Sequence, residues 1–499
     1  MNEMLSNIKN LSSAIKYHAE ITPKKLFLIY NENEYKYAQI DKLVNQVCYF
    51  YESLGLKQGD VISVVLKNSI EYILFYLASL RYGTVFNPYP YTLKAKDINR
   101  YLSNIEPNLV FCQERHFIDF KNLINCSTYC VKDDFISGLD FDIESWIDYE
   151  PSEKSPACIY YSSGTTGNPK NILFSYRNML KNISSIIRGF HFDENDVHFI
   201  VLPLGHTASI NYSFLPATLS GSTIVLVDSF WKIRSKFWSL IKTYNVTYVE
   251  VVPSILFAIL NTPYPKNDYY EINSLRFIGC GSAMLPKERQ IHFNEKYGFK
   301  VANLYGLSET GPTHIDYPLE ENWEPGSIGF PLDVNEVFIV DDNGKILGIG
   351  EIGEISIKGE NVFLNYYKNR NLYDEVVKNG YFSTGDLGYF DEDGRYYFVG
   401  RKKELIIKGG VNISPDEIDE IIFKIDQVSE ALTVGKLDEY LGEKIVSYIV
   451  LKEGSKLSSD EVILYCQNYL SKDKIPNKIE FVKKIPKGHS GKFLRKEIS

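Results

Sequence analysis

"IYYSSGTTGNPK" (residues 159–170) decides how this chain is read. The apolar run from Ile159 to Tyr161 predicts a buried strand, and it ends in a cluster of small hydroxyl residues and glycines. Glycine permits positive φ and close backbone approach, so successive N–H groups of such a loop can converge on an anion. Ser162, Ser163, Thr165 and Thr166 add hydroxyl donors, Gly164 and Gly167 supply backbone freedom, and Lys170 adds a positive charge. Together these suit a polyphosphate. The spacing is not that of a Walker A loop, since no Gly-Lys-Ser/Thr follows. "GCGS" (279–282) likewise lacks the third glycine of a dinucleotide fingerprint. Taken alone, the stretch also fits an ordinary surface loop after a strand.

The surroundings of the loop set its fold. "VISVVLK" (61–67), "TVFNPY" (84–89) and "NLVFC" (108–112) predict strands, and Ile70 to Tyr82 predicts a helix ended by Gly83. The rhythm repeats in strands at 197–204, 222–227, 246–252 and 275–281, with helices over 231–244 and 286–297. Buried strands alternating with helices indicate α/β architecture with largely parallel sheets. Beyond about residue 330 the pattern changes to strand–turn–strand, with "DEDG" (391–394) as a hairpin turn. A final block from about 402 carries strands near 431–435, 444–451 and 479–483 and helices near 415–425 and 459–471, enough for a small α+β domain.

Composition excludes several functions. With 44% hydrophobic and 23% charged residues, the 499-residue chain reads as an ordinary globular protein. A formal charge of −9 argues against nucleic acid or an acidic membrane surface as partner. No apolar run reaches the roughly eighteen residues of a membrane span; "YILFYLASL" (72–80) reads as a buried helix. The N-terminus lacks a signal-peptide core. The seven cysteines are scattered without metal-ligand spacing, which fits reduced thiols in a cytoplasmic protein.

The loop closely resembles the phosphate loop of adenylate-forming enzymes, the superfamily of acyl-CoA synthetases, adenylation domains and firefly luciferase. Asn171 stands where that motif usually ends in glycine. Further landmarks follow in order: "LPLGHTAS" (202–209), "GCGSAMLP" (279–286), "YGLSET" (305–310), "PGSIGFP" (325–331), "STGDLGYFDEDGRYYFVGRKKELIIKGGVNISPDEIDE" (383–420) and "PKGHSGKFLR" (486–495). The resemblance spans essentially the whole chain. It implies a large N-terminal domain (1–400), built of two mostly parallel sheets with helices plus a β-rich subdomain. A small mobile C-terminal α+β domain (401–499) would follow, hinged near Lys403.

The resemblance also implies roles. Gly281, Ser282 and Ala283 belong to the adenine-contacting segment. Tyr305, in a segment with Gly306 and Ser308, would stack on or flank adenine. Glu309 would hold Mg²⁺, an ion that takes one or two protein carboxylates plus phosphate oxygens. Asp386 would accept both ribose hydroxyls, and Arg401 would approach the ribose or α-phosphate. Lys492 would bridge the carboxylate and α-phosphate during adenylation, where a cation stabilises developing charge. Gly409 and Gly410, in "KGGVN", would meet the pantetheine thiol. His206 would shape the acyl pocket, and the uncharged Thr207 and its neighbours argue against a free α-amino acid. The implied reaction takes ATP and a fatty or aromatic acid to acyl-AMP and pyrophosphate. The acyl group then passes to coenzyme A or, in the rival reading, to a carrier-protein phosphopantetheine in trans. A non-catalytic nucleotide-binding relative is the alternative of another class; Glu309, Asp386 and Lys492 speak against it.

Overall fold

The computed structural model describes residues 8, 10–123, 126–139, 149–152, 154–162, 170–260, 272–320, 323–438, 440–487, 493 and 495–498. Two seven-stranded sheets form the larger part. The first runs in the order Val301–Leu304, Phe277–Gly281, Tyr248–Val251, Val197–Ile200, Thr223–Leu226, Leu26–Tyr30, Asn33–Lys36, parallel except for the last pair. The second runs Asn365–Tyr366, Lys170–Ser175, Pro156–Ser162, Val85–Pro88, Val61–Val65, Leu109–Cys112, Ser127–Cys130. Its first three strands are antiparallel and the rest parallel.

The helix Ile70–Tyr82 matches its sequence reading at both ends. Ser69 accepts the Tyr72 N–H with its side chain, and Gly83 closes the helix at φ +91°. Twelve of its residues are buried, because one continuous core joins it to both sheets and to the helix Tyr176–Phe190. That explains a helix apolar on nearly every side.

The expected helix over 231–244 is broken. Phe230–Ile233 and Phe237–Thr243 are helical, with a 3₁₀ turn at Arg234–Lys236 between them. The break buries both Phe230 and Phe237, whose rings meet at 5.7 Å, while the turn itself stays outside the core. The other elements lie within a few residues of their expected ends.

A five-stranded antiparallel sheet follows, comprising Asn335–Val340, Gly353–Gly359, Val377–Lys378, Tyr381–Phe390 and Tyr396–Arg401. The "DEDG" turn joins the last two strands, with Gly394 at φ +82° and its N–H bonded to the Asp391 carbonyl. A second five-stranded sheet contains Ile406–Lys408, Val411–Ile413, Val428–Asp438, Gly442–Leu451 and Lys478–Phe481, with the helix Pro415–Phe423 packed on it. This block meets the first sheet's helices through Arg289, whose Nη2 donates to the Val428 carbonyl at 2.8 Å. The pair Lys424–Glu288 (3.1 Å) adds to the contact. No helix among the described residues is long and apolar enough to cross a membrane.

Candidate active site

Ser162 and Lys170 are register partners on adjacent antiparallel strands, so the loop leaves and re-enters the sheet at one point. Ser163, Gly164, Thr165, Thr166 and Gly167 lie outside the described residues. On the neighbouring strand Tyr366 pairs with Ile172, which sets its side chain beside Lys170. Lys170 Nζ lies 3.4 Å from the Tyr366 hydroxyl and 5.1 Å from its ring centre. That hydroxyl donates to Glu309 Oε1 at 3.0 Å. Glu309 is 9% exposed. Burial pushes its carboxyl above the usual range, and the Lys170 ammonium and the Tyr366 hydrogen bond oppose the push.

Glu309 and Ser308 sit at the tip of a tight hairpin whose arms are Gly306–Leu307 and Gly311–Pro312. A Cβ on Gly306 would stand 2.4 Å from the Gly311 carbonyl oxygen, so the arms close only around glycine. The same approach brings Glu309 to the edge of the second sheet, where the Phe363 N–H bonds its carbonyl.

A second chain of contacts runs beside the first. Asp386 and Arg401 are directly opposite across the hairpin that "DEDG" closes. Arg401 Nε lies 3.2 Å from Asp386 Oδ1, and the Tyr305 hydroxyl donates to Asp386 Oδ2 at 2.8 Å. Asp386 is buried, and its charge raises the Arg401 pKa. Arg401 also acts electrostatically on Glu309, which ties the two chains into one site. The Tyr305 ring is buried against His314 (5.3 Å) and Phe398 (6.2 Å). The Tyr305 hydroxyl thus orients the aspartate, a contact additional to the adenine-flanking role expected of its ring.

The strands Phe277–Gly281 and Val301–Leu304 end side by side, with Gly281 opposite Leu304. A Cβ on Gly281 would meet the Leu304 carbonyl oxygen at 2.6 Å. Ser282 follows at φ +67°, a strained conformation for a non-glycine residue. Ser282 and Ala283 therefore flank Tyr305 and Gly306 at the carboxyl edge of a parallel sheet, where open α/β sheets take ligands.

The remaining expected residues sit on other elements. His206 Nδ1 accepts the Ala208 N–H at 3.3 Å and starts the short helix Thr207–Ser209. Lys403 is exposed in the 3₁₀ turn Lys402–Glu404. Gly409 and Gly410 occupy an exposed turn at φ +58° and +84°, with nothing within 4 Å of a built Cβ. Lys492 lies outside the described residues. Nearby, Arg495 bonds the Thr433 carbonyl and pairs with Asp416, Asp419 (3.0 Å) and Glu404 (3.1 Å).

Two functional candidates were missed in the sequence. Tyr366 gives no local signal, because only strand pairing brings it to Glu309. Glu250 does: it interrupts the apolar run "VTYVEVV", and it is 3% exposed on the strand Tyr248–Val251.

A single donor set around Glu309 suits Mg²⁺, which completes its shell with phosphate oxygens and water. Among the described residues no group of three His, Cys, Asp or Glu side chains could enclose a metal without a ligand's help.

Known proteins match over the whole chain. The family of AMP-binding enzymes matches residues 15–367, and the AMP-binding enzyme C-terminal domain matches 417–492. A probable CoA ligase of Humulus lupulus, CCL9, is 30% identical over 519 aligned positions, covering 99% of this chain and 97% of that protein. An indoleacetate–CoA ligase of Aromatoleum aromaticum is 29% identical, covering 98% and 97%. Among solved structures, ATP-bound MatB from Rhodopseudomonas palustris superposes with a TM-score of 0.91 at 25% identity, covering 98% and 97%. The o-succinylbenzoate coenzyme A synthetase of Bacillus subtilis, solved with ATP and magnesium, gives 0.84 at 26% identity, covering 97% and 98%.

Proposed function

The chain belongs to the AMP-binding enzyme family, and from that premise we propose that it is an AMP-forming acid–CoA ligase acting on a small carboxylic acid. The observation that carries the reading is the meeting of Lys170–Tyr366–Glu309 with Tyr305–Asp386–Arg401, contributed by separate sheets and linked by the action of Arg401 on Glu309. The family relatives that cover nearly the whole chain are CoA ligases, which supports coenzyme A as acceptor.

In the first half-reaction a carboxylate oxygen of the acid bonds to the α-phosphorus of ATP, and the bond to the β,γ-phosphates breaks. Pyrophosphate leaves with the electron pair. Lys170 offers charge to the phosphates, and Tyr366 holds Glu309 in place by its hydrogen bond. Mg²⁺ held by Glu309 would neutralise phosphate charge. Asp386, fixed by Tyr305 and Arg401, would accept from the ribose diol. Lys492 would supply a cation to the forming bond. In the second half-reaction the thiolate attacks the acyl carbon and AMP leaves.

We assign residues 1–400 to the nucleotide- and acid-binding domain and 401–499 to a mobile domain pivoting near Lys403. After adenylation the pivot would withdraw Lys492 and bring Gly409 and Gly410 toward the thiol. A pyrophosphate-release screen over carboxylic acids, followed by acyl transfer to CoA and to holo-carrier proteins, tests the proposal. Pyrophosphate release with thioester on CoA supports it; transfer only to a carrier replaces the acceptor. Absence of acid-dependent pyrophosphate release from the whole panel refutes ligase activity.

A further inference from the structure

Glu250 is a charge-bearing group that the adenylation chemistry above does not use. It lies mid-sheet beside Gly279, its register partner, so the neighbouring strand offers no side chain to cover it there. Its Oε2 has no hydrogen-bond partner among the described residues, and neither has the Tyr248 hydroxyl two positions earlier on the same face. The Tyr248 hydroxyl instead fills the space over Gly279, 2.6 Å from where a Cβ would stand.

The facing wall is the helical segment through Thr207–Ser209 and the π-helical turn Ile210–Phe214. Such turns widen a helix and recur at functional sites. Ser209 lies three residues before Tyr212 and four before Ser213 on that segment, within reach of both along the helix. The hydroxyls of Ser209 and Ser213 are buried and also lack partners. Tyr212 lies within electrostatic reach of Glu250, and its hydroxyl donates to the Tyr305 carbonyl at 3.2 Å, at the start of the Glu309 hairpin. Two unpartnered buried oxygens, of Glu250 and Tyr248, thus lie on a strand packed against a segment that carries two more and leads through Tyr212 to the proposed nucleotide site. Native interiors satisfy such groups, and each one left over calls for an explanation.

We propose that Glu250 is a specificity-determining residue of the acyl pocket, and that the acid substrate carries a hydrogen-bond donor, a hydroxyl or an ammonium, that this carboxyl receives. The assignment rests on the acid–CoA ligase reading and adds the polarity of the substrate to it. A plain hydrocarbon acid would leave the carboxyl and the hydroxyls unsatisfied, and sites built around buried polar groups reject analogues that cannot pair with them. Burial, with no cation beside it among the described residues, pushes the Glu250 carboxyl up to about 8, so it can meet a neutral donor protonated or an ammonium ionised.

The test measures kcat/KM of pyrophosphate release by the full chain for matched acids. Hexanoate is compared with its terminally hydroxylated and aminated counterparts, and benzoate with its para-hydroxyl and para-aminomethyl counterparts. The wild-type protein is expected to prefer a donor-bearing acid in at least one series. Glu250→Leu should lower that acid about 10- to 100-fold, the range for a hydrogen bond to a charged group, and leave the plain acid unchanged or improved. Glu250→Gln, which keeps size and polarity, should retain the hydroxyl preference and lose the ammonium preference. Wild-type preference for plain acids in both series overturns the assignment, as does an equal fall for all acids in both variants. Failure of every acid to release pyrophosphate overturns the ligase reading and this assignment with it.

Discussion

Replacing Tyr366 by phenylalanine removes one oxygen and leaves the ring. The oxygen is the donor to Glu309 Oε1 at 3.0 Å and lies 3.4 Å from Lys170 Nζ. Glu309 is 9% exposed, so water replaces the lost donor poorly. A hydrogen bond to a charged group contributes about 1.5–3 kcal/mol, which corresponds to about a 10- to 100-fold fall in kcat/KM for ATP. The sign with pH follows from the same contacts. Burial already raises the Glu309 carboxyl, and the Tyr366 bond is one of the forces holding it down. Without the hydroxyl the carboxyl rises further, so the acid limb of the pH–rate profile moves to higher pH. ATP–pyrophosphate exchange across pH, with Mg²⁺ varied at each point, reads both effects. A fall in rate with an unmoved acid limb and unchanged Mg²⁺ dependence would refute the role given to the hydroxyl.

Lys492→Ala is expected to cripple adenylation while leaving thioester formation from supplied acyl-AMP largely intact; equal loss of both halves in the two separate assays would count against it. Glu250→Gln should change the pH dependence of stability. The folded carboxyl is raised to about 8 from an ordinary 4.5, so its stabilising contribution is full below about 4.5 and lost as pH rises through 8. Wild-type melts should therefore weaken across that window, by up to about 1.4 kcal/mol per pH unit, and the variant should lack that slope. Gly281→Ala sets a Cβ 2.6 Å from the Leu304 carbonyl oxygen. It should cost about 1–3 kcal/mol in urea unfolding and raise KM for ATP by shifting Ser282 against Tyr305.

Local chemistry made much of this legible. Gly83 marks a helix end without tertiary help and "DEDG" marks a hairpin, but the register shift between Leu387 and Gly388 that sets Asp386 opposite Arg401 left no local signal. Tyr366 was invisible because its role depends on which strand its short segment joins, a non-local fact. The bond from Tyr305 to Asp386 was invisible for the same reason, since its two ends lie far apart in the sequence. His206 was singled out by the resemblance, and its place at the start of Thr207–Ser209 adds a local contact that the motif does not reveal. Glu250 left a trace, a carboxylate inside an apolar run, whose meaning came only with the helix that faces it.

The pairing of Asp386 with Arg401 has a mechanical side. Lys402 is also held, to Asp342 at 2.6 Å and Glu354 at 3.2 Å, on the same antiparallel sheet. The chain is therefore anchored to the larger body up to Lys402, and Lys403 is the first residue clear of these ties. Under the proposed rotation about Lys403, the body beyond it would turn while its attachment stays fixed, so its search would be angular and nearly free of sliding. The residues proposed to hold the ribose would double as the bearing, and nucleotide binding would stiffen the mount of the turning body.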